Sequence, residues 1–292
     1  MPQTLPFDVL EIIVDLLAAE DDQNSTLVKL CSLICHSLVY CCRKYIFRTI
    51  TIGLPTNATN CSPEHLSLIP SRLCWLISHA PHIANYVRVL KVGLSEGPTP
   101  YDKCRKFPRI LRQFTNIESL TLDALHASRD EKPTTISWKH VKQPIKDATL
   151  SLVQIGTLKS LTLRRIRAFP LSQIIFGVNL RSLHIFNVQI LDYYSPHANS
   201  TPLPLVQPIK LYEYSAAGHA SPQQTTAIFA ARRFDNQIPV FDISQLHYLR
   251  IEDHFLPLDV ITSGTLKRAA QVARHMKKRY YYYEDSSAGA HE

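Results

Sequence analysis

Cys31, Cys35 and His36 are the side chains best suited by type to metal chemistry in this 292-residue chain. Two thiols and an imidazole so close together can ligate zinc, but the spacing is not that of a zinc finger, and cysteines are common in helix cores. With Cys41 and Cys42 they are expected to be buried thiols. His79 and His82 flank Pro81 where a helix should end, and are expected to meet its free carbonyls rather than a metal. The thirteen histidines show no His-Glu-x-x-His spacing, and the eight glycines form neither a phosphate-cradling loop nor a nucleophile elbow. No catalytic residue, metal or cofactor is expected, and the chain reads as a non-enzyme.

The other chemistry-bearing cluster is cationic. Lys267, Arg268, Arg274, Lys277, Lys278 and Arg279 fall within thirteen positions free of acidic residues, just before Tyr280 to Tyr283. Leu266, Ala269, Ala270, Val272, Ala273 and Met276 between them predict a helix with a basic face over residues 261–283. It can cap the preceding domain, serve as an import signal, or bind nucleic acid by setting cations beside stacking aromatics. Capping is the expected role, because no recognised nucleic-acid fold accompanies the patch. Residues 284–292 read as a disordered tail.

The elements that hold these groups are bounded by composition. A 45% hydrophobic content supports a sizeable core, and the formal net charge is +8. Seven cysteines, four of them inside apolar runs, suit a reducing compartment, so the expected location is cytoplasmic or nuclear. No leader is expected, and no apolar stretch reaches the ~18 residues of a membrane span.

The first fifty residues predict a small helical unit. Pro6 suits a first helical turn, Val9, Ile12, Ile13, Leu16 and Leu17 form one stripe, and Leu10 with Val14 widens it beyond one packing face. An acidic loop from Asp21 leads to Ser25-Thr26, which can cap a second helix running from Leu27 to Leu38. A unit this small has little core of its own, so the surplus apolar surface points to a partner protein.

This segment opens Leu5-Pro6-Phe7-Asp8-Val9-Leu10 and closes Cys42-Arg43-Lys44-Tyr45-Ile46-Phe47-Arg48. It resembles the F-box-like domains abundant in mushroom-forming fungi, the basidiomycete type, over residues 4–52. It departs from the common pattern in the polar insert Ala18 to Thr26 and in Leu38, where a Trp is common. The resemblance implies that Leu5, Pro6, Val9, Leu10, Ile13, Leu16, Leu30 and Cys35 dock on the Skp-type adaptor of a cullin-RING ubiquitin ligase.

Residues 53–82 read as a linker and an entering helix from Pro63, with Leu66, Ile69, Leu73, Leu76 and Ile77 on one face. A triplet, apolar-x-x-apolar-x-apolar, then recurs six times: Val87/Leu90/Val92, Ile117/Leu120/Leu122, Leu158/Leu161/Leu163, Leu180/Leu183/Ile185, Ile209/Tyr212/Tyr214 and Leu246/Leu249/Ile251. Each predicts a short strand with one buried face. Helices are expected between them at Phe107 to Phe114, Ala148 to Ile155, Leu171 to Phe176 and Thr225 to Phe234.

The region 83–260 resembles irregular leucine-rich repeats, a usual companion of an F-box. The expected fold class is therefore α/β: a helical F-box-like module followed by a leucine-rich-repeat-like solenoid with parallel strands. A mixed α/β domain whose strands merely share an alternating pattern is the competing fold. The residues between the last two apolar positions, Lys91, Thr121, Thr162, His184, Glu213 and Arg250, are candidate target contacts, although a merely solvated face has the same pattern. The expected function is that of a non-catalytic, substrate-recruiting subunit of an SCF-type ubiquitin ligase, with the adaptor, its cullin complex and an unidentified target protein as partners. The alternatives are a repeat-type interaction scaffold with no ligase role and, behind it, a basic nucleic-acid binder.

Overall fold

The computed structural model describes residues 6–20, 26–53, 63–96, 104–124, 135–170, 174, 179–191, 207–218, 225, 228–231 and 239–252. Leu5, the expected helices at 171–176 and 225–234 for the most part, and everything from 253 on, including the basic segment, lie outside them. The fold is mixed α/β, built on a parallel sheet.

Three helices come first: α1 (Phe7–Glu20), α2 (Thr26–Cys31) and α3 (His36–Ile46). The Pro6 carbonyl accepts the Val9 and Leu10 N–H groups at 3.1 and 3.2 Å, so Pro6 stands just before the helix and closes its first turn. The second apolar run is not one helix. It breaks after Cys31, and Cys35 restarts it as an extended N-cap without a side-chain cap bond. Val14, Val28, Leu38, Cys41 and Cys42 form a small core, with Leu10, Ala18, Cys31, Tyr45 and Ile46 around it. Lys44 clamps α3 to α1, reaching Glu11 at 2.7 Å and Asp15 at 2.9 Å, while the Tyr45 hydroxyl donates to Asp15 at 2.7 Å. The Tyr45 hydroxyl and the Lys44 ammonium hold the Asp15 carboxyl below its usual pKa.

After α3 the chain enters β1 (Thr49–Ile52), then α4 (Pro63–His79), a 3-10 turn (Pro81–Tyr86) and β2 (Val89–Leu94). There follow α5 (Phe107–Leu111), β3 (Ser119–Ala124), β4 (Ile136–Ser137), α6 (Gln143–Val153), β5 (Ser160–Arg164), β6 (Ile166–Pro170), β7 (Ser182–Phe186) and β8 (Gln189–Leu191). The last elements described are β9 (Ile209–Lys210), β10 (Glu213–Ala217), β11 (Phe241–Asp242) and β12 (Tyr248–Glu252). The main sheet is β1-β2-β3-β5-β7-β10-β12, every pair parallel and every strand in chain order.

The register explains the apolar triplets. Ile50, Leu90, Leu120, Leu161, Leu183, Tyr214 and Leu249 stand opposite one another along one row, and Ile52, Val92, Leu122, Leu163, Ile185, Ala216 and Ile251 along the next. Phe107 and Leu111 of α5 and Ala148 and Leu152 of α6 complete this core with no exposed surface. At each strand entrance one carbonyl accepts two successive N–H groups of the next strand's entrance. The Arg48, Arg88, Glu118, Lys159, Arg181 and Tyr212 carbonyls do this in turn.

Two triplets differ from expectation. The fifth is Leu211/Tyr214/Ala216, all essentially buried, whereas Ile209 belongs to β9 in a separate two-stranded sheet with β11. A further set, Phe47/Ile50/Ile52, begins the series; it lies inside the segment assigned to the helical module, whose end is thus the first strand of the sheet.

The chain leaves three strands through positive φ at equivalent positions: Arg165 (56°), Asn187 (52°) and Gly218 (115°). Asn tolerates this conformation, and at Gly218 a side chain would strike Asn187. Arg165 is compensated by its partner: its Nη2 lies 2.6 Å from Asp123, which is only 7% exposed, and it also donates to the Ala124 carbonyl. Arg165→Ala should lower stability by about 1–3 kcal/mol, because it leaves a buried carboxylate unpaired. Urea denaturation of Arg165→Ala, Asp123→Ala and the double variant checks this: the double variant should cost less than the two single losses added together.

Candidate docking and recognition surfaces

α1 carries two apolar stripes. Leu10, Val14 and Ala18, four residues apart, face the small core, whereas Val9, Ile12, Ile13 and Leu16, at i, i+3, i+4 and i+7, face solvent. Ile12 and Leu16 are 59% and 63% exposed, and in the turn after α2 Leu33 and Ile34 reach 82% and 73%. Phe7, Leu27 and Leu30 are exposed as well. Single exposed apolar residues are ordinary, but a helical stripe of them on a module whose own core has only five buried residues is an unsatisfied surface.

Of the expected adaptor contacts, Pro6, Val9, Ile13, Leu16, Leu30 and Cys35 are exposed, and Leu10 is half-buried against the small core. Leu10 therefore supports the module from within. Ile12, Leu33 and Ile34 are exposed apolar residues that the motif did not single out; the i, i+3, i+4, i+7 spacing through Ile12 was a signal for the first of them. The cysteines divide. Cys41 and Cys42 are buried, and burial pushes the Cys42 thiol up to about 11, so both are inert core residues. Cys35 is exposed and Cys31 half-buried, against the expectation of four buried thiols, because the helix breaks between them. His79 behaves as expected, with Nδ1 2.8 Å from the Trp75 carbonyl; His82 instead meets Arg43 at 3.5 Å.

The open face of the sheet forms a second surface. Thr51, Lys91, Thr121, Thr162, His184, Ser215 and Arg250 lie side by side in one register row. Five of the six expected contacts, Arg250 among them, share this row, but Glu213 falls two positions away, in the row Thr49, Val89, Ser119, Ser160, Ser182, Glu213, Tyr248, since the fifth triplet is displaced by two residues. Ser215 takes its place. At the strand entrances a ladder of long side chains runs across the same edge. Glu118 lies 4.0 Å from Arg88 and 3.2 Å from Lys159, and Arg181 stands over the Tyr212 ring, which meets His247.

His184 Nδ1 lies 2.7 Å from the Ser215 hydroxyl, and the Ser182 hydroxyl donates to Glu213 at 2.9 Å. A Ser-His pair is the elementary unit of nucleophile activation, but Ser215 is only 5% exposed, so its hydroxyl is not presented to a substrate. The pair instead fixes the middle of the row. Desolvation lowers the His184 pKa below its ordinary 6.5, with Arg164 acting in the same direction and Glu213 opposing. A depressed histidine pKa means that the unfolded chain binds the proton first, so stability held above 6.5 is lost as pH falls below it. The loss of stability between about pH 7.5 and about pH 5.5 should be smaller in His184→Gln than in the parent, measured by denaturant midpoints in the same buffers.

The described residues thus combine a parallel-sheet α/β protein with an exposed apolar helical face and a polar, mixed-charge sheet face. No family model matches the chain, and it matches neither a curated protein nor a solved structure. Among the described residues no helix is long and apolar enough to cross a membrane.

Proposed function

We propose that the chain is a substrate-recruiting subunit of a cullin-RING ubiquitin ligase, docking a Skp-type adaptor through its first helices and a target protein through the open sheet face. The observation that carries this reading is the solvent-facing stripe Val9, Ile12, Ile13 and Leu16 on the helix that opens with the F-box-like motif. The chain-ordered parallel strands, each entered by the same apolar triplet, support assigning residues 83–260 to an irregular leucine-rich-repeat solenoid. The mechanism is proximity: two surfaces on one chain raise the effective concentration of target lysines near the ligase. Affinity purification of the tagged intact chain should recover the adaptor together with its cullin. Recovery of an intact, folded chain without either would favour the scaffold reading.

A further inference from the structure

One close pair of thiols, part-buried, has no part in either surface. Cys74, on α4 and 5% exposed, has its Sγ 2.9 Å from Sγ of Cys104, which lies three residues before α5 and is half-buried. The two positions are 30 residues apart in sequence and enclose β2, so their contact joins the helix preceding that strand to the segment following it. Two sulfurs at this distance lie inside ordinary van der Waals contact, though beyond the covalent length of about 2.05 Å. The backbone holds Cys104 in place, since its carbonyl accepts the Phe107 N–H at 2.9 Å. We propose that Cys74 and Cys104 are a redox modification site that forms a reversible intramolecular disulfide.

The chemistry assigns different roles to the two sulfurs. Cys104 is the more exposed of the two, half-buried where Cys74 is buried, and is assigned the first reaction with an oxidant. Burial, reinforced by the neighbouring Cys104 sulfur, pushes the Cys74 thiol up to about 12, which protects it from being oxidised first and leaves it to act second, as it loses its proton to the departing hydroxyl. With hydrogen peroxide as oxidant, the Cys104 sulfur takes one peroxide oxygen, giving a sulfenic acid and one water. The Cys74 sulfur then displaces the hydroxyl from Cys104, and its proton leaves with that hydroxyl as a second water. A low-molecular-weight thiol reverses the bond by exchange, being itself oxidised to its disulfide. The product staples α4 to the entrance of α5, behind the strands that follow the helical module.

The test treats the full chain with hydrogen peroxide or with dithiothreitol, alkylates it, and maps it by non-reducing peptide mass spectrometry. The expected result is one cross-linked peptide pair joining Cys74 to Cys104, lost on reduction, with a melting temperature roughly 5–10 °C higher in the oxidised chain. In Cys74→Ser, dimedone should trap a sulfenic acid at Cys104. Cys74 and Cys104 both remaining alkylatable after peroxide, or pairing with other cysteines, would overturn the proposal. So would a rise in melting temperature that survived in Cys104→Ser.

Discussion

Leu16→Asp should leave the chain folded and reduce adaptor binding by roughly a hundredfold or more, because a charge forced into an apolar interface costs several kcal/mol. Leu16 is 63% exposed and contributes nothing to the small helical core, so its replacement removes no core packing and costs only the lower helix propensity of Asp, a fraction of a kcal/mol. Ile13→Asp, one turn earlier on the same stripe, should act alike. Leu10→Asp is the wrong variant for this purpose: Leu10 packs against Val14 and its neighbours, and a carboxylate there would disrupt the module whatever it binds. Titration calorimetry with the purified adaptor, beside circular dichroism melts of each variant, separates the two effects. Unchanged binding in both exposed-stripe variants would remove α1 from the interface.

The second large effect concerns the sheet. Leu120→Ala, Leu161→Ala and Leu183→Ala should each cost about 2–5 kcal/mol, since all three side chains are fully buried in one row and their removal leaves cavities between sheet and helices. Leu249→Ala should cost less, because this residue is only partly buried. Thr121→Ala and Thr162→Ala, on the open face of the same strands, should change stability little. Chemical denaturation of the six variants reads this contrast directly. Equal losses on both faces would mean that the open face is itself packed against something.

Much of the sheet was legible because a strand with one buried face imposes a period of two, and the triplets around Leu90, Leu120, Leu161 and Leu183 obey it without competition. The fifth triplet misled for a physical reason. Ile209 and Tyr212 fit the pattern, but Ile209, itself fully buried, pairs with Phe241 in another sheet, and Tyr212 stays half-exposed at the strand entrance, so Leu211 and Ala216 fill the two core positions. Glu213 was displaced from the candidate row by that slip alone. The set at Phe47, Ile50 and Ile52 was hidden by a motif that claimed the same residues for helices. Periodicity also exposed both stripes of α1 without telling which faced inward. Only packing distinguishes them: Lys44 and Tyr45 bind Glu11 and Asp15, and this rotates Leu10 and Val14 onto α3. The break at residues 32–35 was illegible, because its residues are as apolar as the helices they separate.

Isothermal titration of the intact purified chain with a purified Skp-type adaptor measures the proposed docking itself. The expected result is saturable binding at one adaptor per chain, with a negative heat-capacity change from burial of the apolar stripe. A folded chain that gives no binding heat at any of several temperatures, and does not comigrate with the adaptor on size-exclusion chromatography, would contradict it.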